Sequence, residues 1–440
     1  AARRLGICRS RAMRVLHVTQ RYLPAIGGSE LHLAELSTRL VADGHQVTVV
    51  TTDALDFELF WNPRARRVAQ AESWIQGVRV LRFPVRHLPL SSLSYPALRR
   101  LIWLLASARS IPLVWLQRIA RLTPWVPDLQ VWLDQTDERF DLVAAMTIVF
   151  EPLVAAAQRY ARRTATPFVV YPLTHLGTGN VAGSDPNSRF YTMRHQRDLV
   201  LHSDFLIANS PDESAFYRAQ GMAAEQMAAV GPGIEPEDLR GGDGGRLRSR
   251  FGLQGAVVGV LSALSYDKGA VHVVEAVRLL WQAGVAVELL LAGVVLEPFQ
   301  RYLERLPAGD RRRLTVLGPV DHQTKLDFLD AIDVLALPSR TDSFGIVYLE
   351  AWSYGKPVVG AQAWGVRSVI DDGQNGLLVP FGEVSVLAAV LRRLLEDPDL
   401  RQRLGEHGRR TVFSMHTWAH KYPRVLEIYR QLANTKEEAV

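Results

Sequence analysis

Cysteine is nearly absent. Cys8 is alone in 440 residues, so no disulfide can form within the chain, as suits a reducing compartment. No run of about 20 apolar residues occurs, so no membrane-spanning helix is expected. The excess of basic charge, 51 Lys and Arg against 45 Asp and Glu, is scattered and never gathers into a long basic run. That favours phosphate groups or an anionic membrane surface over nucleic acid as the partner. Gly-x-Gly-x-x-Gly is missing, which argues against a dinucleotide cofactor. The histidines and acids lack metal-ligand spacing. Asp397-Pro398-Asp399 matches Asp-x-Asp but lies between two helical stretches, and it reads as a turn with an N-cap. The first twelve residues are basic and patternless, without the apolar core of a signal peptide. Met13, just ahead of a strong strand, is the expected natural start.

What is present is alternation. Apolar residues make up 48% and charged ones 22%, both globular values, and the length suits two or three domains. Short apolar runs at 15–19, 46–52, 78–83, 140–146, 167–171 and 204–209 alternate with helical patterns. They resume at 256–261, 287–292, 314–320, 334–337 and 357–361. Such alternation predicts an α/β protein with two open, mainly parallel sheets facing each other. Gly241-Gly242-Asp243-Gly244-Gly245 is the strongest boundary signal between them. Residues 91–133 stand apart. Leu98, Leu101, Ile102 and Leu105 share one helical face, a second stripe runs through Leu113, Leu116, Ile119 and Ala120, and four tryptophans and several arginines fall here. This pattern fits a helical hairpin covering the first sheet, or an interfacial membrane contact.

The organising stretch is 338–363. A strand ends at Pro338, a polar loop follows, and a helix is expected from about Ser343 to Gly355. A helix N-terminus after a strand is an anion site. Asp342 and Glu350 bracket it, with seven residues between them. At ~1.5 Å per residue that is up to ~12 Å along the axis, the reach of a sugar–diphosphate–ribose. This stretch resembles the donor motif of retaining glycosyltransferases of family 4, with Asp342 for the first Glu, Ser343-Phe344-Gly345 for Gly-Phe-Gly and Glu350 for the second Glu. Other segments are similar to the same family. Pro24, Gly27-Gly28 and Gly44-His45 match its opening, Val230-Gly231-Pro232-Gly233 its pivot, and Asp372-Gly373-Gln374-Asn375-Gly376 a later turn. Lys268-Gly269 match its phosphate clamp. Ala263 stands where the family has a clamping Arg, Ser262 where it has Gly, and Ser368 where it has Glu.

The resemblance implies a GT-B fold, two Rossmann-like domains facing across a cleft. The expected divisions are 13–235 (with the helical insert 91–133), 236–415 for the nucleotide-sugar, and 416–440 crossing back. It implies metal-independent transfer of a sugar, with retention, from a nucleotide-diphosphate sugar to a saccharide or lipid-linked acceptor. No resident cofactor is implied; the nucleotide-sugar is a co-substrate. The location implied is cytoplasmic, with peripheral membrane contact through 91–133. Catalytic roles fall to His175, Asp342 and Lys268. Donor binding falls to Gly27, Gly28, Lys268, Ser343, Phe344, Gly345 and Glu350. The segment 177–187 is expected to be a mobile acceptor loop. Arg189, Arg194, His195 and Arg197 after it read as solvated charges, with an acceptor phosphate as the other account. Ala263 and Asp342 keep a catalytically impaired binding subunit open, and an epimerase of the same architecture is a further alternative.

Overall fold

A computed structural model describes residues 11–438; Cys8 lies outside them. The first sheet is built from β1 (Arg14–Val18), β2 (Gln46–Thr52), β3 (Glu72–Ile75), β4 (Val78–Phe83), β5 (Leu142–Met146), β6 (Phe168–Tyr171), β7 (Phe205–Ala208) and β8 (Met227–Ala229). Their order is β3-β4-β2-β1-β5-β6-β7-β8. All neighbours are parallel except the β3–β4 hairpin. The second sheet is fully parallel. It contains β9 (Ala256–Leu261), β10 (Val287–Ala292), β11 (Leu314–Gly318), β12 (Val334–Leu337), β13 (Val358–Ala361) and β14 (Gly376–Val379), ordered β11-β10-β9-β12-β13-β14.

Both sheets therefore reverse their winding once, between β1 and β5 and between β9 and β12. Ligands of open α/β sheets bind outside the carboxyl ends of the strands at such a reversal. The continuous apolar runs follow from burial on both faces. Each sheet has an apolar cluster on either side, around Leu16, Val143 and Val170 and around Val15, Val49 and Val169 in the first, and around Val260 and Leu289 and around Val257 and Leu290 in the second.

Some local expectations hold and others meet a different physical solution. Within 241–245, Gly242 and Gly244 are packed rather than loose. A methyl on Gly242 would lie 2.5 Å from Leu326 O, and one on Gly244 2.6 Å from Ala331 N. They let the helix Gly244–Phe251, capped by Asp243, press onto the helix His322–Ala331. The last helix, Trp418–Glu438, places Trp418, Val425, Leu426 and Tyr429 in the core of the first sheet. In the insert, helices Ser91–Ser107 and Leu113–Ala120 bury Ile102, Ala106, Leu116 and Ala120 against Met193. Leu101, assigned to the same face from its spacing, is instead exposed, as are Leu90, Leu93, Leu104, Val114 and Trp115. The insert is a small packed unit with an uncovered apolar side. Asp397 caps the helix Pro398–Met415, accepting from the Leu400 amide.

The segment 177–187 is anchored rather than loose. Asp185 accepts from the amides of Thr178, Asn187 and Ser188. Trp364, from the second domain, donates its amide to Gly177 O at 3.0 Å and its indole to Gly179 O at 2.8 Å. The arginines beyond it are structural too. Arg194 caps the insert, donating to the carbonyls of Ala106, Ala108 and Ile111. His195 is fully buried, and Arg197 bonds Gln220. The Arg189 guanidinium lies over the Trp103 ring at 4.0 Å, so these are packed side chains rather than freely solvated charges.

Candidate active site

The loops leaving β9 and β12 carry the central pair. Lys268 follows β9 and Asp342 follows β12, and Nζ lies 2.5 Å from Oδ1. Gly269, in the left-handed region at φ +82, ends this loop. A side chain there would meet the Pro338 carbonyl at 2.5 Å, so the two loops touch because residue 269 has no Cβ. Burial alone would raise the Asp342 carboxyl, but the Lys268 charge together with hydrogen bonds from Lys268 and Ser339 holds the group below its ordinary value. Oδ2 of Asp342 is buried without a hydrogen-bond partner among the described residues. It is a charged acceptor with one oxygen to spare.

His175 reaches the same place from the opposite domain. Beyond β6 the chain turns at Leu173, φ +51, and the Thr174 amide is fixed by the Glu213 carboxylate at 2.5 Å. Burial, then the Lys268 charge, push the His175 imidazole down to about 4, with Asp342 opposing. It is therefore neutral at pH 7, able to donate from one nitrogen and accept at the other. Its ring stacks on Tyr191, centroids 4.2 Å apart and planes 19° apart.

The helix at the donor motif begins later than its spacing predicts. It runs Ile346–Ser353, because Gly345 takes φ +89 and acts as its N-cap. Glu350 thus sits just over one turn in, on the fifth helical residue. Its carboxylate is held by Lys325 Nζ at 2.7 Å, away from the Lys268–Asp342 pair. Ser343 Oγ accepts from Asn209 of the first domain at 3.2 Å. Phe344 is buried, edge-on to His416 and against Gly231. Its ring locks the pivot, and only its backbone can face a ligand. Gly27 caps the helix Gly28–Ala42. A methyl on Gly28 would lie 3.9 Å from Ile346 Cδ1, so the glycine loop lies over the start of the second domain's helix.

The structure thus pairs Lys268 with Asp342, sets His175 within electrostatic reach of both, and brings Gly28 to the helix start. Ala263 is exposed and brings no charge. Two cations near the cleft were missed by sequence reasoning. Arg340, two residues before Asp342, pairs with Asp267 at 2.6 Å and lies over Tyr266 and Phe381. Arg21 pairs with buried Glu30 at 2.8 Å beside Gly27. Their nearness to Asp342 and to Gly27 in sequence was the available signal. Among the described residues, no group of three or more His, Cys, Asp or Glu side chains is placed to hold a metal ion. A separate cavity of about 510 Å³, lined by Arg367, Asp371, His407 and His416 among others, shares none of the central residues.

Comparison with known proteins gives this geometry a context. Residues 248–411 match the model of "Glycosyl transferases group 1", and residues 27–233 that of the "Glycosyl transferase 4-like domain". Alpha-D-kanosaminyltransferase of Streptomyces kanamyceticus is 30% identical over 189 residues, 42% of this chain and 48% of that protein. D-inositol 3-phosphate glycosyltransferase of Xylanimonas cellulosilytica is 32% identical over 253 residues, 54% and 59% of the two chains. The chain spans about half the length of these curated relatives. Among solved structures, Anabaena HepE in complex with UDP and glucose superposes with TM-score 0.69 at 21% identity, covering 94% of this chain and 99% of that one. Sucrose-phosphate synthase from Thermosynechococcus elongatus gives TM-score 0.69 at 18% identity, covering 96% and 100%. The architecture is GT-B, two parallel-sheet α/β domains.

Proposed function

Since this chain belongs to the group 1 glycosyltransferases, with a glycosyltransferase 4-like first half, we propose that it transfers a sugar from a nucleotide-diphosphate sugar to a saccharide or lipid-linked acceptor. Transfer keeps the anomeric configuration and needs no resident metal. The observation that carries this reading is the meeting of Lys268, Asp342 and neutral His175 between the carboxyl ends of two facing sheets. Lys268 and the first amides of the helix Ile346–Ser353 offset the charge of the leaving diphosphate. Gly27 and Gly28 let backbone close over it. Asp342 accepts from hydroxyls of the transferred sugar with its spare oxygen. Glu350, once shared between Lys325 and the ligand, accepts from the ribose. His175 lies beside the reacting carbon and, being uncharged, hydrogen-bonds without adding positive charge next to an oxocarbenium-like centre. Retention is tested by proton NMR of the product formed from an α-linked donor. An α-linked product supports the reading, and a β-linked product overturns it.

The acceptor reading includes a membrane surface on the cytoplasmic side. No Asp or Glu occurs between Glu72 and Asp128, and Arg100, Arg109 and Arg118 are exposed beside Leu101, Leu104, Val114 and Trp115. No described helix is long and apolar enough to cross a membrane. An anionic surface would gain about 1 kcal/mol for each nearby arginine, with burial of the apolar side added. Vesicles rich in anionic lipid should carry the protein upward in flotation, and Leu101→Ser with Trp115→Ser should abolish this without unfolding. Equal flotation of both forms would remove the membrane from the reading.

A further inference from the structure

His175 has no ordinary orienting partner. An imidazole that must present one nitrogen to a substrate is usually fixed by a hydrogen bond at the other. Here Nδ1 is buried with no hydrogen-bond partner among the described residues. What meets the ring is the face of Tyr191, nearly parallel at 4.2 Å. We propose that Tyr191 is the positioning residue for His175, and that it is itself held in place by a buried ionic cluster rooted in the helical insert. The proposal rests on the reading of His175 as a group of the reaction centre.

The support for Tyr191 is unusually well tied down for a loop residue. The carbonyl of Phe190, which belongs to the peptide unit entering Tyr191, accepts from Gln196 Nε2 at 2.9 Å and from Arg99 Nη2 at 3.3 Å. The Tyr191 amide donates to Ser188 O at 2.8 Å, and Ser188 is itself held by Asp185. Both donors to Phe190 are fixed in turn by Glu151. Its carboxylate accepts from Arg99 Nη1 at 2.5 Å, His195 Nε2 at 3.2 Å and Gln196 Nε2 at 3.2 Å. Glu151 and His195 are completely enclosed and Arg99 nearly so. A carboxylate in that setting stays ionised only with a full set of donors.

The geometry of this cluster explains why it lies where it does. Glu151 opens the helix Glu151–Arg163 just beyond β5, at the reversal point of the first sheet. Arg99 comes from the helix Ser91–Ser107, whose outer side carries Leu93, Leu101 and Leu104. A displacement of that helix would pass through Arg99 to the Phe190 carbonyl and so to the ring over His175. The insert therefore bears on the chemistry without touching substrate. Tyr191 acts through His175, as does Arg99 at one further remove.

The experiment uses the full chain and compares Tyr191→Phe, Tyr191→Ala, Arg99→Met and His175→Ala. The first readout needs no substrate. In a ¹H–¹³C spectrum of histidine Cε1–H groups, the His175 signal, assigned by its loss in His175→Ala, should be shifted upfield by the Tyr191 ring. That shift should persist in Tyr191→Phe, vanish in Tyr191→Ala and weaken in Arg99→Met. The second readout is steady-state transfer. Tyr191→Ala should lose about ten- to hundredfold in kcat, since about 1 Å of misplacement costs about 10², with donor KM within threefold. Tyr191→Phe should stay within threefold of wild type in both constants. If His175→Ala loses activity while Tyr191→Ala keeps it, Tyr191 is not the positioning residue. If Tyr191→Ala fails only by melting at lower temperature, with its kcat per folded molecule intact, its role is structural and the proposal is overturned. If His175→Ala is itself fully active, the placement of His175 at the reaction centre falls, and this inference with it.

Discussion

Gly365→Ala should damage the site through backbone alone. Gly365 lies in the short helix Trp364–Arg367, and its conformation is open to any L-residue, since its φ is not among the positive ones. An added methyl would stand 2.5 Å from Asp342 O and 2.7 Å from both Ser343 C and Ser343 O. These are backbone atoms, so no side chain can swing away. Restoring ordinary contact requires the loop bearing Asp342 to retreat by roughly 0.5–1 Å, given carbon contacts near 3.5 Å. Overpacking of this kind costs about 1–3 kcal/mol of stability. A displacement of that size at a catalytic loop costs up to about 10²-fold in rate. Thermal melting and kcat/KM would be measured together, with Gly309→Ala as control, where a methyl meets nothing within 4 Å. Activity of Gly365→Ala within threefold of wild type would refute the claim that this contact sets the position of Asp342.

Acidification should weaken the fold in a defined window. Burial lowers His17 to about 3, with His32 adding to it, and burial and Lys421 lower His32 to about 4. Because these folded-state values are depressed, the unfolded chain takes up protons from about pH 6.5 downward while the native chain does not. Stability is thus fully present above pH 6.5 and is lost towards pH 4, by on the order of a few kcal/mol. Urea melts at pH 7, 5.5 and 4.5 would show this as a falling midpoint, and a flat midpoint would contradict it. Tyr429→Phe strips the hydroxyl that meets His17 Nε2 at 3.3 Å and Tyr171 Oη at 3.0 Å. A loss of about 1–3 kcal/mol is expected from the buried partners left behind, and a loss under 0.5 kcal/mol would contradict a role for this hydroxyl in holding the crossing helix.

Much of the architecture was legible because apolar runs and turn residues record burial directly. The order of strands and helices around Lys268, Asp342 and His175 needed only local pattern. Other features depend on contacts distant in sequence. Arg99 meets Glu151 fifty-two residues away, and nothing in the local spacing of either marks the pair. The late start of the helix Ile346–Ser353 turns on the positive φ of Gly345, whereas its polar loop looks equally able to begin a turn at Ser343. Leu101 was assigned inward because hydrophobic spacing does not say which side of an insert finds a neighbour. The glycines near 242 look like a linker in one dimension, and only the packed helix behind them shows why Gly242 and Gly244 tolerate no side chain.

The central claim is that Lys268 serves a nucleotide-diphosphate sugar. Its most direct test is release of nucleoside diphosphate from uridine-, guanosine- and adenosine-linked sugars by wild type and Lys268→Ala. Circular dichroism would confirm that both forms are folded. Wild type should release diphosphate from at least one donor, and Lys268→Ala should be slower by about 10²-fold, as for loss of a charge-stabilising donor at a leaving group. Undiminished release by Lys268→Ala, or no release from any donor by folded wild type with acceptor sugars and lipids supplied, would contradict the account.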